Sequence, residues 1–312
     1  MNAFILAGAT ATGKTAVCQH LAERMGAAIL STDSMLAYKG MDIGTAKPSP
    51  DEQRRVTYLG LDLFEPDETA SVGMWVHEVR RQLAGLPSGQ PLIVTGGSGF
   101  YLDALLNPLD AAPSTPESRA RWEKLFEQHG LVALQNALRE RLAPEVFAAI
   151  PDFRNPRRLI RLLERHDAGE DITFKPKPSK PRVPALDMPR GLLHKRAAER
   201  VRAMVANGLL DEVRALRDRP AWSATARAAI GYAEFAGHLD GTLELQAAVT
   251  QTVARTRRLA KRQYAWIRHQ MDPIWIMTTP GEPLPTLAGR VMEAWEKLGP
   301  VELKTDAPAG NN

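Results

Sequence analysis

Residues Gly8–Thr15 read Gly-Ala-Thr-Ala-Thr-Gly-Lys-Thr, and they directly follow the apolar run Phe4–Ala7. This pattern is typical of a glycine-rich loop that joins a buried strand to a helix and binds phosphate. Backbone N–H groups of such a loop surround a diphosphate, and the start of the helix adds positive potential. The predicted diphosphate-binding residues are Gly8, Ala9, Thr10, Ala11, Thr12, Gly13, Lys14 and Thr15. Lys14 can reach the outer phosphate and the Thr15 hydroxyl can bind Mg²⁺, but the loop does not identify the phosphorylated molecule.

The composition is that of an ordinary soluble protein. Of 312 residues, 44% are hydrophobic and 24% charged, and no apolar run is long enough to cross a bilayer. The N-terminus enters the predicted first strand, which leaves no room for a secretory signal. Cys18 is the only cysteine, so an internal disulfide and a cysteine-rich zinc site are both excluded. We therefore expect a cytoplasmic protein without membrane contact. A monomeric state is a separate expectation.

The net charge of +4 is unevenly distributed along the chain. Residues 1–110 carry 8 Lys and Arg against 12 Asp and Glu, whereas residues 111–312 carry 32 against 24. Between Glu244 and Asp272 there are six Lys and Arg and no acid. Such a field suits a polyanion with several spaced phosphates, although a solvated basic surface would give the same charge.

The apolar pattern predicts an α/β fold with a mostly parallel sheet and helices on both faces. Runs that read as buried strands are Phe4–Ala7, Ala27–Ser31 and Pro91–Val94. Ligands of such sheets bind at the carboxyl ends of the strands. The loop Gly8–Thr15, Asp33–Ser34 and Gly96–Ser98 all follow predicted strands, so we expect them to converge on one cleft.

A helical insert is predicted within this core. Prolines interrupt the chain after Leu106, helical periodicity runs from Pro116 to about Gly169, and a basic, proline-rich connector follows over residues 174–184. We therefore predict a core of residues 1–114 and 184–312 and an inserted helical domain of residues 115–183. Helical patterns resume at residues 192–216 and 243–270, and the tail from Gly299 reads as polar and loose.

Asp33 is the only carboxylate placed like a strand-end acid. The strand Leu92–Val94 is followed by Thr95-Gly96-Gly97-Ser98 and lacks the acid that a phosphate-loop ATPase places there. One carboxylate beside a phosphate site suits group transfer, in which it takes a proton from the acceptor. A helix N-cap or an outer ligand of Mg²⁺ is the structural alternative for Asp33.

Two arginine-rich helical patterns favour a nucleic-acid substrate over a small molecule. The first predicts one face with Arg154, Arg158, Arg161 and Arg165, and the second a face with Arg255, Arg258 and Arg262 beside Lys261, followed by Tyr264 and Trp266. Arginine contacts phosphates bidentately and stacks on unpaired bases. Each helix alone could equally be a solvated face. Together with a phosphate site they favour single-stranded or loop RNA, because a base inside a duplex must be extruded to react.

The stretch Asp33–Pro48, Asp-Ser-Met-Leu-Ala-Tyr-Lys-Gly-Met-Asp-Ile-Gly-Thr-Ala-Lys-Pro, closely resembles the signature of tRNA dimethylallyltransferases. Other segments that agree in order are Gly8–Thr15, Gly96–Tyr101, Asn155–Arg161, Ala229–Tyr232 and Lys261–Trp266. The resemblance extends from about Phe4 to Arg268, which is most of the chain.

This resemblance implies transfer of a dimethylallyl group from dimethylallyl diphosphate to N6 of the adenosine at tRNA position 37, next to the anticodon on its 3′ side. Diphosphate is released. It further implies a P-loop NTPase-like α/β core with an inserted helical domain, a requirement for Mg²⁺, and the tRNA anticodon stem-loop as partner. The loop would bind the prenyl diphosphate instead of hydrolysing ATP, which accounts for the missing strand-end acid.

The resemblance also implies roles for individual residues. Asp33 would accept the N6 proton, Ser98 would assist at the reacting centre, Lys14 would neutralise the leaving diphosphate, and Arg119 would lie by the substrate. Thr15 would bind Mg²⁺. The implied tRNA-binding residues are Asp33, Ser34, Met35, Leu36, Ser98, Arg119, Arg157, Arg158, Arg161, Gly231, Tyr232, Lys261, Arg262 and Arg268.

The chain departs from the family pattern at four positions, and none removes a proposed chemical group. Ala9 replaces the usual proline, Leu36 a common glutamine, Ser98 the usual threonine and Ala233 a usual lysine or arginine. Three other functions remain open from the sequence. These are a P-loop small-molecule kinase that uses ATP, a non-catalytic RNA-binding protein, and an enzyme that prenylates free adenine nucleotides.

Overall fold

The structure is a computed structural model that describes residues 1–107, 115–174, 180–219 and 221–304. Within these ranges the chain divides into two units, one of residues 1–107 and 180–304 and one of residues 115–174. The predicted insert ended at Val183, but Arg182 and Val183 already belong to a strand of the first unit.

Strands and helices alternate as far as β4, and runs of helices then separate β4 from β5 and β5 from β6. The strands are β1 (Asn2–Gly8), β2 (Ala28–Ser31), β3 (Tyr58–Leu59), β4 (Leu92–Thr95), β5 (Arg182–Asp187), β6 (Asp272–Met277) and β7 (Val301–Glu302). The helices are α1 (Lys14–Met25), α2 (Pro50–Arg55), α3 (Val72–Ala84), α4 (Gly99–Leu106), α5 (Pro116–Arg139), α6 (Pro144–Ala148), α7 (Pro156–Asp167), α8 (Arg190–Ala206), α9 (Leu209–Arg217), α10 (Ala224–Arg227), α11 (Tyr232–Leu239), α12 (Leu245–Gln270) and α13 (Leu284–Leu298).

The strands form one sheet in the order β3-β2-β4-β1-β5-β6, and all of these pairs are parallel. The central strand β1 pairs with β4, where Phe4 faces Ile93, and with β5, where Ala7 faces Ala185. Short β7 pairs antiparallel with the start of β1. The predicted mostly parallel sheet is confirmed. The tail from Gly299, which reads as loose in the sequence, contributes β7, and the part of it after residue 304 lies outside the described residues.

Helices cover both faces of the sheet because its strands are apolar on both sides. On one face, α1 and α13 pack through Leu21, Val291 and Trp295 on strand residues such as Leu6 and Ile93. The indole nitrogen of Trp295 also donates to the carbonyl of Ile5 at 2.9 Å. Side chains alternate along a strand, so Ile5 and Val94 point to the opposite face, where they are fully buried. Helix α12 contacts β1, β6 and α4 there.

The unit of residues 115–174 has a hydrophobic core of its own. Helices α5 and α7 pack through Trp122, Leu138 and Leu163, and the Trp122 indole donates to Asp167 at 2.7 Å. Helix α5 is interrupted at Gly130, whose φ of 72° and ψ of −168° are not helical. Its N-cap is Thr115, which accepts a hydrogen bond from the Ser118 N–H, and such a cap stabilises the start of a helix.

Among the described residues, no helix combines the length and the apolar composition that are needed to cross a bilayer.

Candidate active site at the carboxyl edge of the sheet

The loop after β1 adopts a backbone that gathers its N–H groups toward one side. Gly13 has a φ of 97°, in the left-handed region that glycine enters without steric cost. Ala11 also has a positive φ, of 66°, which is unfavourable for a residue with a Cβ atom. Successive residues of alternating handedness form a concave row of N–H donors that suits an anion. The Lys14 ammonium folds over the loop and donates to the carbonyl of Ala9 at 2.7 Å.

The loop lines a cleft of about 410 Å³ whose other walls carry three charged side chains. Asp33 enters from the end of β2, and Arg196 and Arg200 enter from successive turns of α8. The Arg200 guanidinium donates to the carbonyl of Thr45 at 3.1 Å, which fixes its direction in the cleft. Three cations and one carboxylate thus surround a space of the size of a small phosphorylated ligand.

Burial changes the acid–base properties of this cluster. Desolvation, together with the charge of Arg200, lowers the pKa of Lys14 to about 8, although Asp33 opposes the shift. Burial also lowers the pKa of Arg200, and the Asp33 carboxylate again acts in the opposite direction. Arginine remains charged in spite of such a shift. The cleft therefore holds excess positive charge in a desolvated setting, where a bound anion is attracted strongly.

Asp33 and Ser98 are held close together by a set of short-range hydrogen bonds. The Met35 N–H donates to Asp33 Oδ1 at 3.0 Å, and the Ser34 N–H donates to Ser98 Oγ at 3.1 Å. A Cβ atom built on Gly97 would lie 3.4 Å from Asp33 Oδ2. The segments after β2 and β4 therefore place the Asp33 carboxylate in the larger cleft and the Ser98 hydroxyl close to it, next to Gly97.

A second, smaller cleft of about 210 Å³ adjoins the first on the other side of Gly97. Its lining includes Ser98, Leu102, Arg262 and Trp266, so it combines apolar and aromatic surface with one cation. The two clefts share lining residues, which are Gly96, Gly97, Leu259 and Gln263.

Comparisons with known proteins decide the family. A sequence model of the family described as IPP transferase matches residues 36–270, and one described as isopentenyl transferase matches residues 1–66. The chain is 37% identical over 306 residues to the tRNA dimethylallyltransferase of Anaeromyxobacter dehalogenans, covering 94% of this chain and 98% of that protein. It belongs to the tRNA dimethylallyltransferase family.

Two further members of the tRNA dimethylallyltransferase family agree over most of the chain. The enzyme from Thermus thermophilus is 37% identical over 285 residues, which is 89% of this chain and 93% of that protein. The crystal structure of the tRNA isopentenylpyrophosphate transferase of Bacillus halodurans superimposes with a TM-score of 0.66 at 30% identity, covering 94% of this chain and 96% of that one. The predicted fold class and family are confirmed.

Within the first unit, the structure brings most of the predicted site residues to the carboxyl edge of the sheet. The predicted site residues that line the two clefts are Gly8, Thr10, Ala11, Gly13, Lys14, Thr15, Asp33, Leu36, Ser98 and Arg262. Gly231 and Tyr232 are an exception, because both are buried and Tyr232 has no exposed surface. Their role in tRNA binding stays a prediction, since the side chain of Tyr232 presents no surface in this structure.

The exposed basic residues of α12 include three of those predicted to bind tRNA. Lys261, Arg262 and Arg268 are exposed, and the Arg268 guanidinium lies 5.7 Å from the ring centre of Trp275. Arg255, which was placed on the same basic face, instead donates to the buried Glu234 at 2.5 Å and to the carbonyl of Ala228. It joins α12 to α11 and is a structural residue.

In the unit of residues 115–174, Arg119, Arg157 and Arg158 are exposed, and Arg161 is half-buried near Glu164 at 3.5 Å. The face predicted for this helix is partly wrong. Arg154 precedes the start of α7, and Arg165 is buried in an ion pair with Glu170. The exposed basic surface of α7 is therefore limited to its first two turns.

Several residues of the site were missed by the sequence reasoning. Arg196 and Arg200 have i, i+4 spacing on α8, which places them on one helix face, but nothing in that spacing says that the face points at the phosphate loop. Gln263 lies in a segment that carried the family resemblance. Its side-chain amide is neither titratable nor nucleophilic, so the sequence offers no chemical reason to place it in the site. Cys18, by contrast, is buried as predicted, and burial raises the pKa of its thiol to about 12, so it is not a nucleophile.

Gln263 joins the two loops that line the clefts. Its Oε1 accepts a hydrogen bond from the Thr10 N–H at 2.7 Å, and its Nε2 donates to the carbonyl of Gly97 at 2.8 Å. The side chain is almost completely buried, and residue 10 is 253 positions away in the sequence. This single amide therefore fixes the distance between the phosphate loop and the loop after β4.

Replacing Gln263 with glutamate should destabilise the protein by about 1–3 kcal/mol, because a carboxylate oxygen would face the Gly97 carbonyl in place of a donor. We expect a lower melting temperature and weaker binding of a diphosphate ligand, measured by thermal unfolding and titration calorimetry. Gln246→Glu, on the exposed side of the same helix, is the matched control and should change neither quantity. Equal behaviour of the two variants would contradict this role for Gln263.

Proposed function

We propose that this protein transfers the dimethylallyl group of dimethylallyl diphosphate to N6 of the adenosine at position 37 of tRNA, 3′ to the anticodon. A bond forms between N6 and C1 of the donor, the bond between C1 and the diphosphate oxygen breaks, and N6 loses a proton. Membership of the tRNA dimethylallyltransferase family supports the reaction. The structural observation that supports this reaction most directly is that one carboxylate, Asp33, lines the same cleft as the phosphate loop with its Lys14.

The larger cleft suits the diphosphate of the donor. The loop residues that line this cleft with an N–H group not used elsewhere are Ala11, Gly13, Lys14 and Thr15, and we propose that these groups surround one phosphate. The side chains of Lys14, Arg196 and Arg200 would compensate its charge. As the bond from C1 to oxygen breaks, negative charge builds up on the departing diphosphate. Fixed cations that already point at this position stabilise that charge without reorganising, which lowers the barrier.

The residues present fit an Mg²⁺ ion that arrives with the donor. In the described part of the chain, no group of three or more acidic, histidine or cysteine side chains could form a metal site alone. Mg²⁺ commonly keeps several waters and binds substrate phosphates with few protein ligands. Thr15, at the start of α1 and in the wall of the cleft, would supply one hydroxyl ligand. The ion would supply further positive charge to the diphosphate.

Asp33 is proposed as the acceptor of the N6 proton, with Ser98 beside it. The amino group of adenine is a weak nucleophile, and a carboxylate within hydrogen-bond reach removes its proton as the new bond forms. The hydrogen bond from the Met35 N–H to Asp33 Oδ1 holds the carboxylate in one orientation. Ser98 Oγ accepts a hydrogen bond from the Ser34 N–H, which belongs to the same turn. Both groups therefore keep their places when the acceptor enters.

The acceptor base is proposed to occupy the smaller cleft, where the Trp266 indole offers a flat aromatic surface for an extruded ring and Leu259 an apolar contact. Ser34, Met35 and Leu36 would contact the same nucleotide. The proposed contacts to the phosphates of the anticodon stem-loop are made by Lys261, Arg262, Arg268, Arg119, Arg157, Arg158 and Arg161. The inserted unit of residues 115–174 thus contributes to tRNA binding, and we propose that the protein acts as a monomer.

Incubation of the protein with unmodified tRNA and labelled dimethylallyl diphosphate tests the proposal. Label should appear on the adenosine at position 37, and labelled ATP, as the control donor, should leave the tRNA unlabelled. Transfer from ATP would support a kinase instead. Label on free adenosine nucleotides but not on tRNA would contradict the proposed acceptor.

Raising the salt concentration should weaken tRNA binding steeply and prenyl-diphosphate binding much less. Binding of a nucleic acid through several phosphates releases a counterion for each contact, so the logarithm of the affinity falls linearly with the logarithm of salt concentration. The exposed Lys261, Arg262 and Arg268 should each contribute to the slope. Equal salt dependence for both ligands, measured by filter binding and calorimetry, would contradict the assignment of these residues to tRNA.

A further inference from the structure

The Glu212 carboxylate, on α9, accepts hydrogen bonds from four donors. Its Oε2 accepts from the N–H groups of Asp42 at 3.0 Å and Ile43 at 2.7 Å. Its Oε1 accepts from the Gly44 N–H at 3.0 Å and from the Tyr232 hydroxyl at 2.6 Å. Three consecutive N–H groups of one loop thus converge on a single side chain that is 168–170 residues away in the sequence.

Tyr232 closes this arrangement from the interior. Its ring is fully buried, and burial beside Glu212 raises the pKa of its hydroxyl, so the hydroxyl remains a hydrogen-bond donor. A Cβ atom at position 44 would lie 2.5 Å from the ring of Tyr232, and therefore only glycine fits there. In this buried position, Tyr232 supports both the Glu212 carboxylate and the backbone at Gly44.

A second anchor holds the far end of the same loop. The Lys47 ammonium forms ion pairs with Asp42 at 2.5 Å and with Asp62 at 2.6 Å, and it donates to the carbonyl of Tyr38 at 2.9 Å. Its side chain is only 3% exposed. Residues 42–47 are therefore fixed from both ends. These contacts give a structural reason for Asp42, Gly44 and Lys47 in the stretch that resembles the family signature.

Between the two anchors, the loop presents one carbonyl to the phosphate cleft. The Thr45 carbonyl accepts the hydrogen bond from Arg200 Nη2 at 3.1 Å. Arg200 lies in the cleft with Lys14 and Thr15. If the loop were displaced, the Thr45 carbonyl would move with it. Arg200 would then lose the hydrogen bond that orients its guanidinium in the cleft.

We propose that Glu212 is a positioning residue for the donor diphosphate, acting through the loop of residues 42–45 and the Thr45 carbonyl on Arg200. The inference rests on the proposed function in one respect, that the cleft binds a diphosphate. All four groups that face Glu212 are donors, so a carboxylate satisfies them and a carboxamide does not. Glutamine would turn an N–H₂ donor toward two other donors and push the loop away.

Titration of the full-length protein with inorganic diphosphate and Mg²⁺ tests the proposal without any transfer reaction. We expect Glu212→Gln to bind diphosphate at least about tenfold more weakly, which corresponds to one buried polar contact. The affinity for tRNA should change less than about twofold. Glu212 contacts the loop of residues 42–45 and is separate from the basic surface of α12, and substitutions at separate sites have independent effects. Asp211→Asn is the matched control, since Asp211 is an exposed carboxylate on the same helix. It should bind diphosphate like the wild type.

A double-mutant cycle with Arg200→Ala separates positioning from general destabilisation. If Glu212 acts through Arg200, the loss of diphosphate affinity caused by Glu212→Gln should largely vanish in the Arg200→Ala background. A loss of the same size in both backgrounds overturns the proposal, and so does an unchanged affinity of Glu212→Gln. Failure of the wild type to bind diphosphate overturns the proposed donor site as well, so the two failures are distinguishable.

A second variant keeps the test valid if Glu212→Gln does not fold. Gly44→Ala retains the carboxylate but brings a methyl group against the Tyr232 ring, which displaces the loop from the other side. It should weaken diphosphate binding in the same way, again only while Arg200 is present. Wild-type affinity in this variant, with the protein folded by circular dichroism, would also overturn the proposal.

Discussion

Replacing Asp33 with asparagine should lower the rate of dimethylallyl transfer by about 10²–10⁴-fold, the range found for loss of a general base. The asparagine Oδ1 can still accept the Met35 N–H that Asp33 accepts now, so the turn after β2 should keep its conformation. Only the capacity to take up a proton is lost. The single-turnover rate with saturating tRNA and donor measures this effect directly.

The same variant should bind the donor at least as well as the wild type. Among the residues that the structure describes, Asp33 is the one carboxylate that lines the cleft with Lys14 and Arg200, and its removal leaves the cleft more positive for a diphosphate. Asp67→Asn, at an exposed position, is the control and should retain the full rate. A rate within a few fold of wild type in Asp33→Asn would show that the proton leaves by another route.

Replacing Lys14 with methionine should weaken diphosphate binding by about 2–5 kcal/mol, which is roughly thirtyfold or more. Methionine keeps the length of the apolar chain but removes the ammonium, so the bound anion loses a partner in a desolvated cleft. Lys39→Met provides the comparison, since Lys39 is an exposed lysine that pairs with Glu65. That control should bind diphosphate normally.

The effect of Lys14 should depend on pH in a defined direction. Its pKa is lowered to about 8 in the free protein, so the ammonium is charged below that pH and loses its proton above it. A bound diphosphate favours the charged form, and binding at higher pH must therefore include uptake of a proton. The ratio of wild-type to Lys14→Met affinity should be constant up to about pH 7 and fall toward about pH 9.5. Because both proteins bind the same ligand, its own ionisation cancels in this ratio.

The sequence was most informative where local chemistry alone determines the backbone. The loop Gly8–Thr15 needs glycine at position 13 for a φ that other residues avoid, and the apolar runs before it and before Thr95 predict buried parallel strands. These features place Lys14, Thr15 and Asp33 at one edge of the sheet before any coordinate is known. The family resemblance, which the comparisons confirm, extends from the same segments.

The parts that were missed depend on long-range packing. Strands β5 and β6 contain prolines at positions 184 and 273, which weaken a strand pattern, yet both pair parallel at the edge of the sheet. Glu212 looks like an ordinary residue of an amphipathic helix, and only the fold shows that it meets Tyr232 and the loop of residues 42–44. Arg154 and Arg165 illustrate the opposite error, because helical spacing predicts a common face but says nothing about where the helix begins or which arginine is buried.

The pairing of β1 with late segments has a consequence for biosynthesis. The strand that leads into the phosphate loop takes β5 and β7 as neighbours, and Trp295 of α13 donates to its Ile5 carbonyl. While the ribosome is still translating the first half, these partners do not exist, and Thr10 still lacks the Gln263 amide. A nascent chain that stops before α12 therefore has the phosphate-binding loop in its sequence but lacks Leu259 and Gln263, which line both clefts. Catalytic competence should arrive only near the end of translation, and slow folding is expected from contacts of such large sequence separation.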